Sequence, residues 1–476
     1  MKKYLYISAM ILCMMSCERR ITNTVSATFT PDTMTHIRNP YMGWTLYSLG
    51  IQKLDSADTY WKLQDEAARK YADVYYIRWP WAAFEPEEGK YAWNYDENFK
   101  ALIQGALDRG LRLAFRVIAN GRDCAKQGIP EYVFKAGAEH FIDSPGHKNA
   151  YPDDPVFLDK YTKFIKAFGE EFNDPTRVDF IDCYGLGWWG EEHNVKWKNK
   201  ENRNASHDRI VRAYAEAFDK VITVVNYGVR NEHEQKVVFD ELGFSPRRDG
   251  YVSEWFPKSQ YKGFTSYFPD KVLIAEACYR GNNYDIAKQE NGKWPTWQVY
   301  YKELVDEALK THVNYLDMRT PIESKRLLTE NLNDVQRFIS KGGYRIYPQK
   351  VDGSIKDGKL TVNHTWKNIG VGVLPNNNVA LGYKYKVAFA LFDKNNGIVS
   401  KWYSDKVEVS KLVGEDPISA TDKFELGEIA AGKYQLAVGI VNKNENDSKD
   451  ITLAIKYPKV IEGEWVYVSD IELKNN

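Results

Sequence analysis

The chain is poor in cysteine and histidine and has no net charge, and each shortage closes off a class of function. Five cysteines in 476 residues are too few for a disulfide-stapled scaffold. Cys13 and Cys17 fall in the N-terminal segment. Cys124, Cys183 and Cys278 remain, an odd number without C-x-x-C spacing, which argues against a zinc site. Cys183 and Cys278 sit in apolar runs and read as buried free thiols. The eight histidines form no H-E-x-x-H element, and His193 and His207, with Glu191 or Asp208 nearby, match no standard zinc spacing, so no metal is expected. The 65 basic and 65 acidic residues cancel, so the phosphate-neutralising excess of a nucleic-acid binder is missing. There is no G-x-S-x-G and no glycine loop that would cradle phosphate, and no cofactor is implied.

Aromatic residues, by contrast, are plentiful: 14 Trp and 32 Tyr. Flat rings with one polar edge suit stacking on sugar faces, and they also fill large cores. The N-terminus reads as a targeting segment. Lys2 and Lys3 precede the mostly apolar Tyr4 to Met15, a run shorter than the ~20 residues that span a bilayer. Met14-Met15-Ser16-Cys17 resembles the lipobox of bacterial lipoproteins. Residues 1–17 are therefore expected to be a lipoprotein signal peptide, with Cys17 lipidated and 18–34 a tether. The protein is then exported and lipid-anchored to the bacterial cell envelope.

From about Pro40 to Tyr344, short apolar runs alternate with amphipathic stretches. The runs are Tyr41–Tyr47, Val74–Trp79, Leu111–Ile118, Val178–Leu186, Val221–Tyr227, Gly250–Trp255, Val272–Ala277 and Val313–Met318. Eight strands with intervening helices over about 300 residues predict an α/β fold, a (β/α)₈ TIM barrel, across residues 35–343. After Tyr344 the pattern changes to short β-branched and aromatic segments separated by turns such as Asp393-Lys394-Asn395-Asn396-Gly397. Residues 344–476 are expected to form an all-β, immunoglobulin-like sandwich.

Active sites of such barrels gather at the C-terminal ends of the strands, which directs attention to carboxylates there. Asp182-Cys183-Tyr184-Gly185-Leu186-Gly187-Trp188-Trp189-Gly190-Glu191-Glu192-His193 follows strand four. Trp188 and Trp189 offer sugar-stacking surfaces and an apolar wall expected to raise the pKa of Glu191, keeping it protonated as a general acid. Strand seven carries Glu276, which is costly to bury unpaired and at a barrel mouth would be an ionised nucleophile; a structural pairing with Arg280 or Arg319 is the alternative. Glu192 competes with Glu191, and Glu254, beside Trp255, competes with Glu276. Arg116, Asn120 and Arg122 after strand three, and Asn226 and Tyr227 after strand five, are candidate substrate contacts.

The segment Trp81-Ala82-Ala83-Phe84-Glu85-Pro86-Glu87-Glu88-Gly89-Lys90-Tyr91-Ala92-Trp93 resembles a signature found after the second strand of clan A glycoside hydrolases, including family 42 β-galactosidases. Asn39-Pro40-Tyr41-Met42-Gly43-Trp44 and Trp189-Gly190-Glu191 also resemble the family designated domain of unknown function 4832. The clan resemblance implies an acid/base Glu on strand four and a nucleophile on strand seven, hence Glu191 and Glu276, with Arg78 near the nucleophile. Trp81, Glu85, His193 and Arg319 are further candidate substrate contacts. Two departures stand out. Gly190 occupies the position of the clan's usual Asn, and Asp317-Met318-Arg319 ends strand eight where a Trp is common. The expected partner is a carbohydrate, with hydrolysis of a glycosidic bond as the reaction and a non-catalytic glycan-binding lipoprotein as the alternative.

Overall fold

The computed structural model describes residues 24–474, apart from 49–55, 121–126, 144–145, 229, 255, 257, 279–284, 415 and 445–449. Cys17, Arg122, Cys124, Trp255 and Arg280 lie outside the described residues. A first strand, β1 (Thr24–Thr28), precedes eight parallel strands that close into a barrel: β2 (Gly43–Tyr47), β3 (Ala72–Pro80), β4 (Arg112–Ile118), β7 (Val178–Asp182), β8 (Ile222–Asn226), β9 (Ser245–Tyr251), β10 (Ile274–Ala277) and β11 (Tyr315–Arg319). A small hairpin, β5 (His140–Asp143) with β6 (His147–Ala150), interrupts the series after β4. β3 is buried at every position, as expected of a strand with helices on one face and a filled lumen on the other. The covering helices are amphipathic. Helix Pro155–Phe172, for example, starts with Pro at N1 behind the cap Asp154 and buries Phe157, Tyr161, Phe164 and Phe168.

The barrel is followed by two four-stranded antiparallel sheets, consistent with the expected sandwich. One has the order β1-β12-β13-β16, with β12 at Ile346–Lys356, β13 at Lys359–Asn368 and β16 at Ile418–Glu425. The other has the order β15-β14-β17-β18, with β14 at Tyr385–Phe392, β15 at Ile398–Tyr403, β17 at Gly432–Asn442 and β18 at Val466–Leu473. The lumen residues Tyr76, Phe180, Ile222 and Tyr315 belong to the same apolar cluster as the sandwich residues Ile346, Trp366, Tyr385 and Phe389. The sandwich thus plugs the N-terminal end of the barrel, leaving the C-terminal end for chemistry. No helix among the described residues is long and apolar enough to cross a membrane.

Two expectations need correction. Thr24–Thr28, placed in the tether, instead pairs with β12 from Thr24 opposite Ser354 to Thr28 opposite Lys350, and Val25 is buried. The sixth barrel strand lies at Ser245–Tyr251 and not at Gly250–Trp255. Its charged Arg247-Arg248-Asp249 core reads as loop in sequence, but these charges point to partners at the barrel mouth.

The junction depends on fully buried Asn314. Its Nδ2 donates to Tyr41 O at 2.8 Å and Val373 O at 2.7 Å, and its Oδ1 accepts from Val373 N at 3.1 Å. Asn314→Ala leaves three buried backbone groups without partners. We expect a loss of about 2–4 kcal/mol, measured by denaturant unfolding; an unchanged midpoint would contradict this role.

Candidate functional site

The top layer of the barrel lumen is built from charges. Arg78 (β3), Arg116 (β4), Asp182 (β7), Arg247 (β9), Glu276 (β10) and Asp317 and Arg319 (β11) end their strands there, and all are buried. Glu191, from the loop after β7, closes the layer. Arg78 joins the two glutamates, its Nη1 donating to Glu276 Oε1 at 3.0 Å and its Nη2 to Glu191 Oε1 at 3.1 Å. Arg247 repeats the bridge: Nη1 donates to Glu276 Oε2, and Nη2 stands 3.1 Å from Glu191 Oε1. Arg116 adds a third guanidinium to Glu191, Nη1 donating to Oε1 at 2.7 Å, while its Nε donates to Asp182 Oδ2 at 2.8 Å. Tyr76 OH also donates to Asp182 Oδ2, at 2.6 Å. Because guanidinium nitrogens are held about 2.3 Å apart in a rigid fork, the two Oε1 atoms are no more than about 8.5 Å apart.

The loop that presents Glu191 is tightly wound. Seven of the eleven residues from Tyr184 to Asn194 have positive φ, including the non-glycine Tyr184 (84°), Trp189 (59°) and Glu192 (67°). Such conformations cost of order 1–3 kcal/mol each and persist where surrounding structure enforces them. Trp188 N donates to His193 O at 2.8 Å, Gly190 N to Asn120 O at 3.2 Å, and Asn226 Nδ2 to Glu191 O at 2.9 Å. Gly190 has φ +70°, and a Cβ there would meet Gly185 O at 3.3 Å and Arg116 Cδ at 3.4 Å. The Asn that the clan resemblance implies at this position would be strained and would crowd the guanidinium stem. That accounts for the departure.

The electrostatics reverse one expectation. Burial and nearby Asp249 push the Glu191 carboxyl up, but Arg247, Arg116 and Arg78 together hold it below its ordinary value. The tryptophan wall does not keep Glu191 protonated, because three permanent cations face it. Burial also raises Glu276, and Arg78 and Arg247, with Arg319 behind them, bring it below its ordinary value. Asp317 is pushed up to about 6 by burial and the charge of Glu276, against Arg319. Glu191 Oε2 turns the other way: it lies 3.9 Å from His193 Nε2, which is itself 3.5 Å from Asp249 Oδ2.

The other candidates divide. Trp188 and Trp189 are half-exposed beside the site, their rings edge-to-face at 5.8 Å. Asn120 contributes its backbone carbonyl to the loop. Arg319 Nη2 stands 3.5 Å from Glu276 Oε1, and its Nε 2.9 Å from Asp317 Oδ2. Trp81 and Glu85 are not substrate contacts. Trp81 is buried among Tyr161 and Phe164, and Glu85 accepts from Trp81 Nε1 (2.9 Å), Tyr132 OH (2.7 Å) and Gly89 N (2.8 Å), so the signature residues fold the loop after β3. Glu192 is turned away onto Arg230, and burial outweighs that pairing to push it up to about 7. Glu254 is exposed in a turn after β9, outside the charged network, and so does not compete with Glu276. Tyr227 packs against Phe239, Phe264 and Tyr267 in the helical layer instead of facing the mouth. Arg247, Asp182 and Asp249 were missed; the signal that marks the strand-six pair is the Arg247-Arg248-Asp249 run, three consecutive charges in a series of otherwise apolar strands.

No protein-family model matches the chain, and no curated protein matches it in sequence. Among solved structures, an endo-glycoceramidase II from a Rhodococcus species is similar at 11% identity, covering 83% of this chain and 99% of that one, with a TM-score of 0.41. A glycoside hydrolase family 5 enzyme from Prevotella bryantii is similar at 13% identity over 66% of this chain and 99% of that one (TM-score 0.41). The catalytic domain of a β-amylase from Paenibacillus polymyxa is similar at 11% identity over 62% of this chain and 98% of that one (TM-score 0.40).

Arg247 neutralises three buried carboxylates. Arg247→Ala leaves them to Arg78, Arg116 and Arg319, one cation short, at a cost of about 3–5 kcal/mol at pH 7. The less fully neutralised groups acquire raised pKa values, so this destabilisation shrinks once they are protonated. We therefore expect a markedly smaller loss at pH 4 than at pH 7 in urea unfolding; equal losses at both would show that the network is not charge-bound.

Proposed function

We propose that the protein hydrolyses a glycosidic bond in a poly- or oligosaccharide with retention of configuration. The observation that supports this most is the Glu191–Glu276 pair clamped by Arg78 and Arg247. Hydrolysis with retention uses carboxyls roughly 5 Å apart and inversion roughly 6.5–9.5 Å. Two guanidiniums that each touch both carboxylates hold them within the range that glycoside hydrolysis uses. Glu276, held ionised, attacks the anomeric carbon; the acid/base on the leaving-group side is Glu191; the half-exposed Trp188 and Trp189 supply stacking surface for the sugar.

This reading agrees with the clan A glycoside hydrolase resemblance, to which the domain of unknown function 4832 and family 42 likenesses add only the signature residues. It further includes export, with Cys17 lipidated and the chain held to the cell envelope. Mass spectrometry of the membrane-extracted protein should then find Cys17 as an acylated N-terminus, and Cys17→Ala should release the protein from membranes.

Glycan binding without turnover is the second reading, and one observation favours it: Glu191 is held ionised where a general acid needs a proton. Screening a glycan panel with product detection separates the two. We expect Glu191→Gln to lower turnover about 10²–10⁴-fold and Glu276→Gln by roughly 10⁴-fold or more, with proton NMR showing the product anomer of the substrate's own configuration. Undiminished turnover in either variant would remove that residue from the mechanism.

A further inference from the structure

Glu191 has two oxygens in different situations. Oε1 faces Arg78, Arg116 and Arg247, three cations that do not lose their protons. It cannot carry the proton that a leaving group needs. Oε2 faces His193 Nε2 at 3.9 Å, and Asp249 Oδ2 stands 3.5 Å from the same nitrogen. Both distances exceed a hydrogen bond, as is common for catalytic contacts before substrate tightens them. The imidazole is placed by construction. The Trp188–His193 bridge closes the loop on both sides of Glu191, and the Trp189 ring meets the imidazole edge-on at 5.8 Å.

We propose that His193 is the proton store of the site, delivering a proton to the leaving group through Glu191 Oε2 and recovering it from the attacking water. The proposal rests on the hydrolase reading. In the first step a Glu276 oxygen bonds to the anomeric carbon as the bond to the leaving oxygen breaks. The leaving oxygen keeps the electron pair and takes a proton that passes from His193 Nε2 through Glu191 Oε2, which leaves Glu191 ionised and the imidazole neutral. In the second step water attacks the anomeric carbon, the bond to Glu276 breaks and returns its electrons to the carboxylate. The water's proton passes through Glu191 Oε2 to His193, restoring the imidazolium. His193 acts through Glu191 and is therefore a positioning residue in the proton path.

Charge balance favours a proton over a metal ion at these three atoms. Among the described residues, the ion pairs of the mouth join six carboxylates, Asp182, Glu191, Asp249, Glu276, Asp317 and Glu323, to five guanidiniums, Arg78, Arg116, Arg247, Arg248 and Arg319. One imidazolium brings that sum to zero, whereas a divalent ion overshoots it. Among the described residues, the charged groups facing His193 are Glu191 on its own loop and Asp249 and Arg248 on β9. Burial lowers its pKa, but Asp249 and Glu191 together raise it above the ordinary histidine value, against Arg248.

Two measurements on the full chain test this. In an NMR titration of isotope-labelled histidines, with His193 assigned from His193→Gln, its midpoint should lie above ~6.5 and fall in both Asp249→Asn and Glu191→Gln. A midpoint indifferent to Glu191→Gln overturns the shared proton. In kinetics, His193→Gln should lower kcat/KM roughly 10²-fold on aryl glycosides with poor leaving groups, leave dinitrophenyl glycosides nearly unchanged, and move the alkaline limb of the pH profile. Equal losses on both substrates with an unmoved profile overturn the proposal in favour of a structural role. Turnover abolished by a chelator and restored by zinc also overturns it, since the three atoms would then be ligands. A protein inactive on every glycoside overturns the hydrolase reading and the delivery step together, while the titration decides independently whether Glu191 and His193 share a proton.

Discussion

Two arginines that each touch the same two glutamates set the terms for this barrel. A carboxylate buried to about 5% exposure is prohibitively costly unless neutralised. Arg78 and Arg247 neutralise two at once, and in doing so fix their separation. Every neighbouring feature follows from keeping that arrangement supplied with partners. Arg116 and Asp182 extend it across β4 and β7, and Asp317 and Arg319 extend it to β11. The strained loop from Tyr184 to Asn194 exists to bring Glu191 down onto the layer, and Asn120, Asn226 and Gly190 hold or make room for it.

The rest of the molecule is arranged to leave this layer rigid. The lumen beneath it is apolar and aromatic, and the sandwich seals the opposite end, so the charged layer has one accessible side. Core packing of this kind does not deform gradually. A side chain such as Asn314, far from the chemistry, consequently affects the site only through the stability of the whole. The ionised state of both glutamates is the price of this rigidity, and it moves the question of proton supply to His193 and Asp249.

Much of the fold was legible in the sequence because it follows periodicity: apolar runs of strand length, amphipathic stretches between them, and a change to short β segments after Tyr344. The positions of Glu191 and Glu276 after the fourth and in the seventh strand could be read the same way. What could not be read depends on contacts across the barrel. The tryptophans beside Glu191 are visible as neighbours in sequence, whereas Arg78 and Arg116 lie 113 and 75 positions away and reverse the direction of its pKa shift. β9 was displaced because Arg247-Arg248-Asp249 violates the apolar pattern of a barrel strand, and the violation marks the site. Conversely, Trp81 and Glu85 match a signature whose work here is to fold a loop. Val25 was assigned to a tether because a single edge strand of five residues is too short to stand out.

The central claim is that Glu276, held ionised by its two shared arginines, forms a bond to the anomeric carbon. Incubation with a 2-deoxy-2-fluoro glycoside bearing an activated leaving group, matched to whichever sugar the protein turns over, tests it directly by intact-mass and peptide mass spectrometry. The account predicts one glycosyl adduct per chain, on the peptide that contains Glu276. Turnover of the parent glycoside with no adduct, or with an adduct on another residue, would contradict it.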